Sequence, residues 1–359
     1  MFILVDIDFL KPLSKINFIM KNETDLTSIT QQIVSAGKGI LAADESTGTI
    51  TKRFDAVNIS STERNRRDYR EMLFRSIGMK QNIGGVILFD ETIKQESDDG
   101  TLLKEIIESQ GALPGIKVDK GLKSITNSEV EKITDGLDDL DRRCKYYHKL
   151  GAKFTKWRAL INQGNNLPTR NCIELNMRLL ADYASTVQEN NMVPIVEPEV
   201  LMDGKHTIDE CYRNTSVTLE ILMKFLDENK VDFNAIILKP NMITSGSENN
   251  DADTAETIAE KTVACLLSSV SEKIPAVTFL SGGQSDLQAT SNLDMMNKLF
   301  KTPWKLSFSY GRALQQSALK LWSGNAKNIQ LAQDAFSHRA NMNKLAALGK
   351  WDKSLETNE

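Results

Sequence analysis

The segment FNAIILKPN, residues 233–241, ends an apolar run in Lys239 and follows it with a proline that stops the strand. An ammonium at the mouth of a buried strand loses hydration, which disfavours its charged form. A neutral lysine is a nucleophile toward carbonyl carbon. Three further pairs of charged residues stand two positions apart: Lys117/Asp119, Lys156/Arg158 and Glu197/Glu199. Residues i and i+2 of a strand share a face, so each pair projects to one side. An ordinary lysine is neutral in only about one molecule in a few thousand at pH 7. Desolvation together with repulsion from a nearby Lys156 is expected to bring Lys239 to about 7–8. Lys239 is therefore the candidate Schiff-base lysine. Glu197 is a candidate proton shuttle for carbinolamine formation and dehydration, and Asp44, which ends GILAAD, a candidate base. The glycines of SGG (281–283) and of SYGR (309–312) permit close backbone approach, and with Ser281 and Arg312 they suit a phosphate. Lys117, Arg158 and Ser46 form a second basic and polar group that suits another phosphate.

Such residues converge only if the elements carrying them end on one face. Eight short apolar runs can be counted, at 39–44, 84–90, 115–119, 152–158, 193–199, 235–240, 276–283 and 305–311. Segments between them, such as STERNRRDYREMLFRSIG and NCIELNMRLLADYASTVQENN, repeat apolar residues at three- and four-residue spacing. Strand then helix, eight times over, predicts a single-domain α/β protein, a (β/α)₈ TIM barrel. All the residues singled out above then end strands at the carboxyl face, where such barrels carry their sites. An open doubly wound sheet is the alternative. Against it, no G-x-G-x-x-G follows the first run, and GKGILAADESTG is not a P-loop. A barrel core is ordinarily Val, Ile and Leu, so charges sent inward from several strands imply function rather than packing.

The chain has 359 residues, a net charge of −4, and 40% hydrophobic and 26% charged residues, which describes a soluble protein without general attraction to nucleic acid or anionic membrane. Cys144, Cys172, Cys211 and Cys265 are scattered without a C-x-x-C pair, as expected of reduced thiols in the cytoplasm. Three distant histidines make no metal motif, and neither a metal nor a cofactor is expected. Residues 1–22 read as an N-terminal extension: Asp6 and Asp8 interrupt the apolar run, and no basic segment precedes it, so neither a secretory signal nor a membrane span is expected. The barrel is assigned to 23–345 and a flexible polar tail to 346–359.

The motifs GKGILAADESTGTITKRF, GGVILFDET, GIKVDKG, KFTKWRALI, VPIVEPEVLMDGKH, ILKPNMITSG, FLSGGQSDLQATSNLDMMN and WKLSFSYGRALQQSALKLWSG resemble class I fructose-1,6-bisphosphate aldolases. The resemblance runs from about Leu26 to Trp351. It implies a metal-free aldolase of glycolysis and gluconeogenesis that cleaves a sugar bisphosphate through a lysine imine, usually as a homotetramer. By resemblance Lys239 forms the imine, Lys156 perturbs it and assists proton transfer, and Asp44 takes the C4 hydroxyl proton. Glu197 is similar to the acid and base of imine formation, and Glu199 to a supporting carboxylate. Ser281, Gly282, Gly311 and Arg312 resemble the C1-phosphate site, while Lys117, Arg158 and Ser46 resemble contacts to the other end of the substrate.

The chain departs from the family at its end. Many members finish in a tyrosine that helps move the enamine proton, whereas here KWDKSLETNE closes the sequence and the last tyrosine is Tyr310. Enamine protonation is accordingly expected to use a residue at the barrel mouth, or water. Rival readings are an aldolase for another sugar phosphate, a pyridoxal-phosphate enzyme with its own lysine, and a non-catalytic scaffold that keeps the fold.

Overall fold

The computed structural model describes residues 25–125, 128, 130–164, 166–249 and 253–356, so the N-terminal extension assigned to 1–22 lies outside the described residues. The described residues form ten strands: β1 (Gly39–Ala43), β2 (Ile83–Leu88), β3 (Leu113–Lys117), β4 (Leu122–Ser124), β5 (Lys132–Thr134), β6 (Phe154–Ile161), β7 (Val193–Val200), β8 (Ile237–Leu238), β9 (Ala276–Phe279) and β10 (Lys305–Tyr310). Eight of them close in the order β1-β10-β9-β8-β7-β6-β3-β2, and β4 and β5 form a separate antiparallel pair. The pairings β1–β2, β6–β7 and β10–β9 are parallel, as are the rest of the ring. This is the (β/α)₈ barrel that the eight runs predict. The β4–β5 hairpin was not anticipated; its six residues lack the long apolar run by which the barrel strands are read.

Strands buried on both faces read as unbroken apolar runs, and β1, β2 and β7 are buried at every position. Helices cover them outside. In the helix Arg170–Glu189, Thr169 caps the first turn by accepting from the Cys172 amide, and Ile173, Met177, Leu180, Ala184 and Val187 form the buried stripe. The helix Ile208–Glu228 starts with a reciprocal capping box between Thr207 and Glu210.

Inside the barrel, Ile40, Ile87, Phe154, Ile195 and Ile237 form an apolar layer with Ile29 and Ile33 of the helix Leu26–Ile33, which closes that end. Phe154 fits because its neighbours lack side chains: a Cβ on Gly115 would stand 2.2 Å from the Phe154 ring. A Cβ on Gly84 would come within 1.9 Å of the Ile33 carbonyl oxygen, so GG at 84–85 lets the closing helix approach. With one end dry and packed, only the carboxyl end of the barrel can hold charge and solvent.

Two expectations change. The run 235–240 yields a strand of two residues, because Phe233–Ala235 turns as a 3₁₀ helix in which the Asn234 amide donates to the Asp232 carboxylate at 2.9 Å. The ladder still reaches the lysine, since the Lys239 amide donates to the Val196 carbonyl at 2.8 Å. The segment from residue 346 was expected to be a flexible tail. Instead the helix Ile329–Ala347 crosses that boundary, Trp351 is buried, and its amide donates to the Asp294 carboxylate at 2.9 Å. Glu356 then accepts from Arg339 at 2.6 and 3.0 Å and from the Trp351 indole at 2.8 Å. Polarity alone suggested solvation; a buried guanidinium awaiting a carboxylate decided otherwise.

Candidate active site

A cavity of about 950 Å³ opens at the carboxyl ends of the strands, within the size range of small-molecule sites. All twelve residues singled out in the sequence line it: Asp44, Ser46, Lys117, Lys156, Arg158, Glu197, Glu199, Lys239, Ser281, Gly282, Gly311 and Arg312. Strand register explains the grouping. Val196 of β7 pairs with Leu238 of β8, so the next residues, Glu197 and Lys239, emerge at one level. Lys156 of β6 pairs with Ile195 on one side and Lys117 of β3 on the other, and its long stem reaches up to the same layer.

Lys239 Nζ lies 2.9 Å from one Glu197 oxygen, and Lys156 Nζ lies 3.3 Å from the other. The two ammoniums were expected to repel one another directly. A carboxylate stands between them and attracts both, a feature of tertiary packing that strand-end spacing does not reveal. Lys156 also pairs with Asp44 at 2.8 Å and approaches Asp119 at 3.9 Å. Only 4% of each of Lys156, Glu197 and Lys239 is exposed, so screening of these pairs by water is weak.

Burial disfavours charge on Lys156, but Asp44, Glu197 and Asp119 together hold it well above the usual lysine range. Burial likewise pushes the Asp44 carboxyl up, and the charges of Lys156 and Lys239 with the Lys156 hydrogen bond overcome it, lowering Asp44 to about 2. Glu197 is held below the usual carboxylate range in the same way, against burial, by Lys156, Lys239 and Arg158. Glu199 goes the opposite way: burial dominates and raises it, although Arg158 pairs with it. Two neighbouring carboxyls on one strand thus differ in proton affinity because one faces two lysines and the other faces a single guanidinium.

The ends of the cavity suit anions. The helix Arg312–Trp322 starts directly after β10, with Gly311 as its first flanking residue and the Ser281–Gly282 loop beside it in the cavity wall. Its open amides and positive dipole end meet the exposed Arg312 side chain there. The space is tight, since a Cβ on Gly282 would lie 3.2 Å from a Glu199 oxygen and one on Gly311 would lie 3.3 Å from the Ala42 carbonyl. The helix Thr47–Asp55 begins after Ser46, which lines the same cavity as Lys117 and Arg158.

Sequence reasoning missed Arg53 in the cavity wall and, although Glu45 ends the first strand beside Asp44, left Glu45 and Asp119 without a role. Arg53 pairs with Glu45 at 2.5 Å, and Gln315 donates to the same Glu45 oxygen at 3.0 Å. Ser46, Thr49 and Arg53 are three and then four residues apart, so one helix face carries them, and that periodicity was the available signal. Tyr310 plays no part at the cavity: it is fully buried, and its hydroxyl donates to the Ala289 carbonyl at 3.0 Å. Among the described residues no group of His, Cys, Asp and Glu could hold a metal ion, and no helix is long and apolar enough to cross a membrane.

The family model described as fructose-bisphosphate aldolase class-I matches residues 25–359. A probable fructose-bisphosphate aldolase class 1 of Xanthomonas campestris is 49% identical over 327 residues, covering 91% of this chain and 98% of that protein. The cytosolic fructose-bisphosphate aldolase 6 of Arabidopsis thaliana is 48% identical over 336 residues, covering 93% and 94%. Among solved structures, fructose-bisphosphate aldolase from Plasmodium falciparum, crystallised with TRAP and a small-molecule inhibitor, is 44% identical. Its TM-score is 0.90, with 92% of this chain and 96% of that one covered. Identity of this order along nearly the whole barrel leaves one conclusion: the chain belongs to the class I fructose-bisphosphate aldolase family.

Proposed function

We propose that Lys239 is the imine-forming residue with which this enzyme cleaves fructose 1,6-bisphosphate to dihydroxyacetone phosphate and glyceraldehyde 3-phosphate, reversibly, in glycolysis and gluconeogenesis. The observation that carries the assignment is a lysine only 4% exposed, at a strand end, with a carboxylate 2.9 Å from its nitrogen. Glu197 takes the proton that must leave Lys239 before its lone pair attacks the C2 carbonyl. The same carboxyl then returns a proton to the departing hydroxyl as the carbinolamine dehydrates. The iminium that results is an electron sink. Asp44 removes the C4 hydroxyl proton, the C3–C4 bond breaks, and the bonding pair enters the enamine. Lys156 remains an ammonium 2.8 Å from Asp44, which stabilises the carboxylate before it acts and orients it at the cavity wall. Glu199 supports the site by holding Arg158.

Ser281, Gly282, Gly311 and Arg312 take the C1 phosphate in this reading, and Lys117, Arg158 and Ser46 the phosphate at the other end. A helix start at each group supports a bisphosphate over a substrate with one phosphate. Arg312→Ala is expected to weaken binding of phosphorylated substrate by about 1.5–3 kcal/mol, the range for hydrogen bonds to a charged group. Lys239 in that variant should react normally with a small unphosphorylated carbonyl compound. Equal affinity of variant and wild type for the bisphosphate would remove Arg312 from the site.

Borohydride reduction in the presence of dihydroxyacetone phosphate tests the central assignment. The expected result is one modified peptide, labelled at Lys239, and activity that survives a metal chelator. Label at Lys156, or loss of activity with chelator, would overturn it. The same reading takes the barrel together with the C-terminal segment docked on it as the catalytic unit, a homotetramer as the working assembly, and the cytoplasm as the location. Four buried free cysteines and the cytosolic plant relatives support that location.

A further inference from the structure

We infer that Asp119 is a positioning residue that keeps Lys156 in place as a fixed cation while Asp44 and Glu197 exchange protons during turnover. The inference rests on the mechanism proposed above. Lys156 has three carboxylates around it: Asp44 at 2.8 Å, Glu197 at 3.3 Å and Asp119 at 3.9 Å. The first two carry protons in the reaction. When Asp44 has accepted the C4 hydroxyl proton it is neutral, and Lys156 loses its nearest counter-charge at the moment the C3–C4 bond breaks. Glu197 is likewise neutral between taking the Lys239 proton and returning it. Asp119 alone of the three has no proton to carry, so its charge persists through every intermediate.

The geometry separates this role from plain structural support. One Asp119 oxygen and the Asp119 carbonyl both accept from Lys117, at 2.5 and 2.8 Å. The other oxygen is buried, has no hydrogen-bond donor, and is the one that faces Lys156. A buried carboxylate oxygen without a donor is costly unless a nearby positive charge offsets it. Holding Lys117 requires one acceptor, which asparagine would provide equally well. The second oxygen and the full negative charge are surplus to that task and are matched by Lys156. Position is secured by the backbone: the Val118 amide donates to the Lys156 carbonyl at 3.0 Å, which carries β3 alongside β6 beyond Lys117. Arg143, which also lines the cavity, donates to the Val118 carbonyl at 2.7 Å. The charged and titratable groups facing this pair are Asp44 beyond β1, Lys117 on β3, Arg158 on β6, Glu197 on β7 and Lys239 after β8. Tyr183 packs behind the sheet, with its hydroxyl engaged by Thr155 and the Ile195 carbonyl. Among the carboxylates that favour the charged form of Lys156 against burial, Asp119 follows Asp44 and Glu197.

The test is Asp119→Asn beside Asp119→Ala in the full-length enzyme, assayed for fructose 1,6-bisphosphate cleavage across the alkaline pH range. Asp119→Asn retains the acceptor for Lys117 and removes the charge facing Lys156. Its expected kcat is lower by about 10–100-fold, by analogy with the loss when a residue that orients a metal ligand is removed, while KM stays near wild type. Removing a negative charge disfavours the ammonium, so the alkaline limb of kcat should move to lower pH. Asp119→Ala should show the same shift and a raised KM as well, because Lys117 is released. A kcat and alkaline limb unchanged in Asp119→Asn would overturn the inference, as would a fall in kcat with the limb unmoved. Borohydride trapping at Lys239 in the wild-type enzyme is the separate control: its failure would sink the parent mechanism, whatever the Asp119 variants do.

Discussion

Lys239→Met is expected to lower kcat for bisphosphate cleavage by on the order of 10⁶-fold, the scale found when a covalent nucleophile is removed. Methionine approximates the apolar stem of lysine and removes its nitrogen, so the packing around β8 should be retained. Glu197 would keep Lys156 at 3.3 Å as a counter-ion, which limits the cost of the missing charge. Without the Lys239 amine there is no imine at that position, hence no electron sink to receive the C3–C4 bonding pair, and Lys156, held as an ammonium by Asp44, Glu197 and Asp119, does not take its place. Borohydride should trap nothing in the variant. Retention of more than about a hundredth of the wild-type kcat, with a folded spectrum, would place the nucleophile elsewhere.

Glu197→Gln is expected to cost about 10²–10⁴-fold in kcat, the range for loss of a general acid–base group. The amide can still accept from Lys239, and so can preserve position, but it cannot take the lysine proton or return one to the departing hydroxyl. Single-turnover imine formation should slow as much as the overall reaction. In the wild type, Lys156 and Lys239 hold the Glu197 carboxyl below its ordinary range against burial. Its ionised form therefore persists to lower pH than that of a free glutamate, and its base function fades only as pH falls below that range. An unchanged rate of imine formation in the variant would show that another residue or a water moves these protons.

Two elements illustrate why some expectations held and others changed. The strand-end pairs were legible because period-two geometry is local: once LysXxxAsp or GluXxxGlu is in a strand, its common face follows from covalent structure. The C-terminal segment was read from composition, and composition does not record what lies opposite. Arg339, 5% exposed on the helix Ile329–Ala347, supplies a buried positive charge, and Glu356 is drawn to it. A mostly polar segment can dock when one of its few apolar side chains, here Trp351, finds a buried place and the partner surface already holds an ion to be paired.

By itself the sequence determined the eightfold alternation of strand and helix and the end of the barrel on which Lys239, Glu197, Asp44 and Arg312 emerge. Those properties follow from hydrophobic period, from proline and glycine at element ends, and from residue identity, all readable within a few positions along the chain. Tertiary structure alone decided that Glu197 stands between the two lysines, that Glu199 two residues on is pushed toward protonation, and that Asp119 turns its free oxygen to Lys156. The reason is physical. Ionisation in a dry cavity depends on separations of a few ångströms between residues on different strands, and those separations are set by barrel register and side-chain reach, neither of which is encoded by neighbours in sequence.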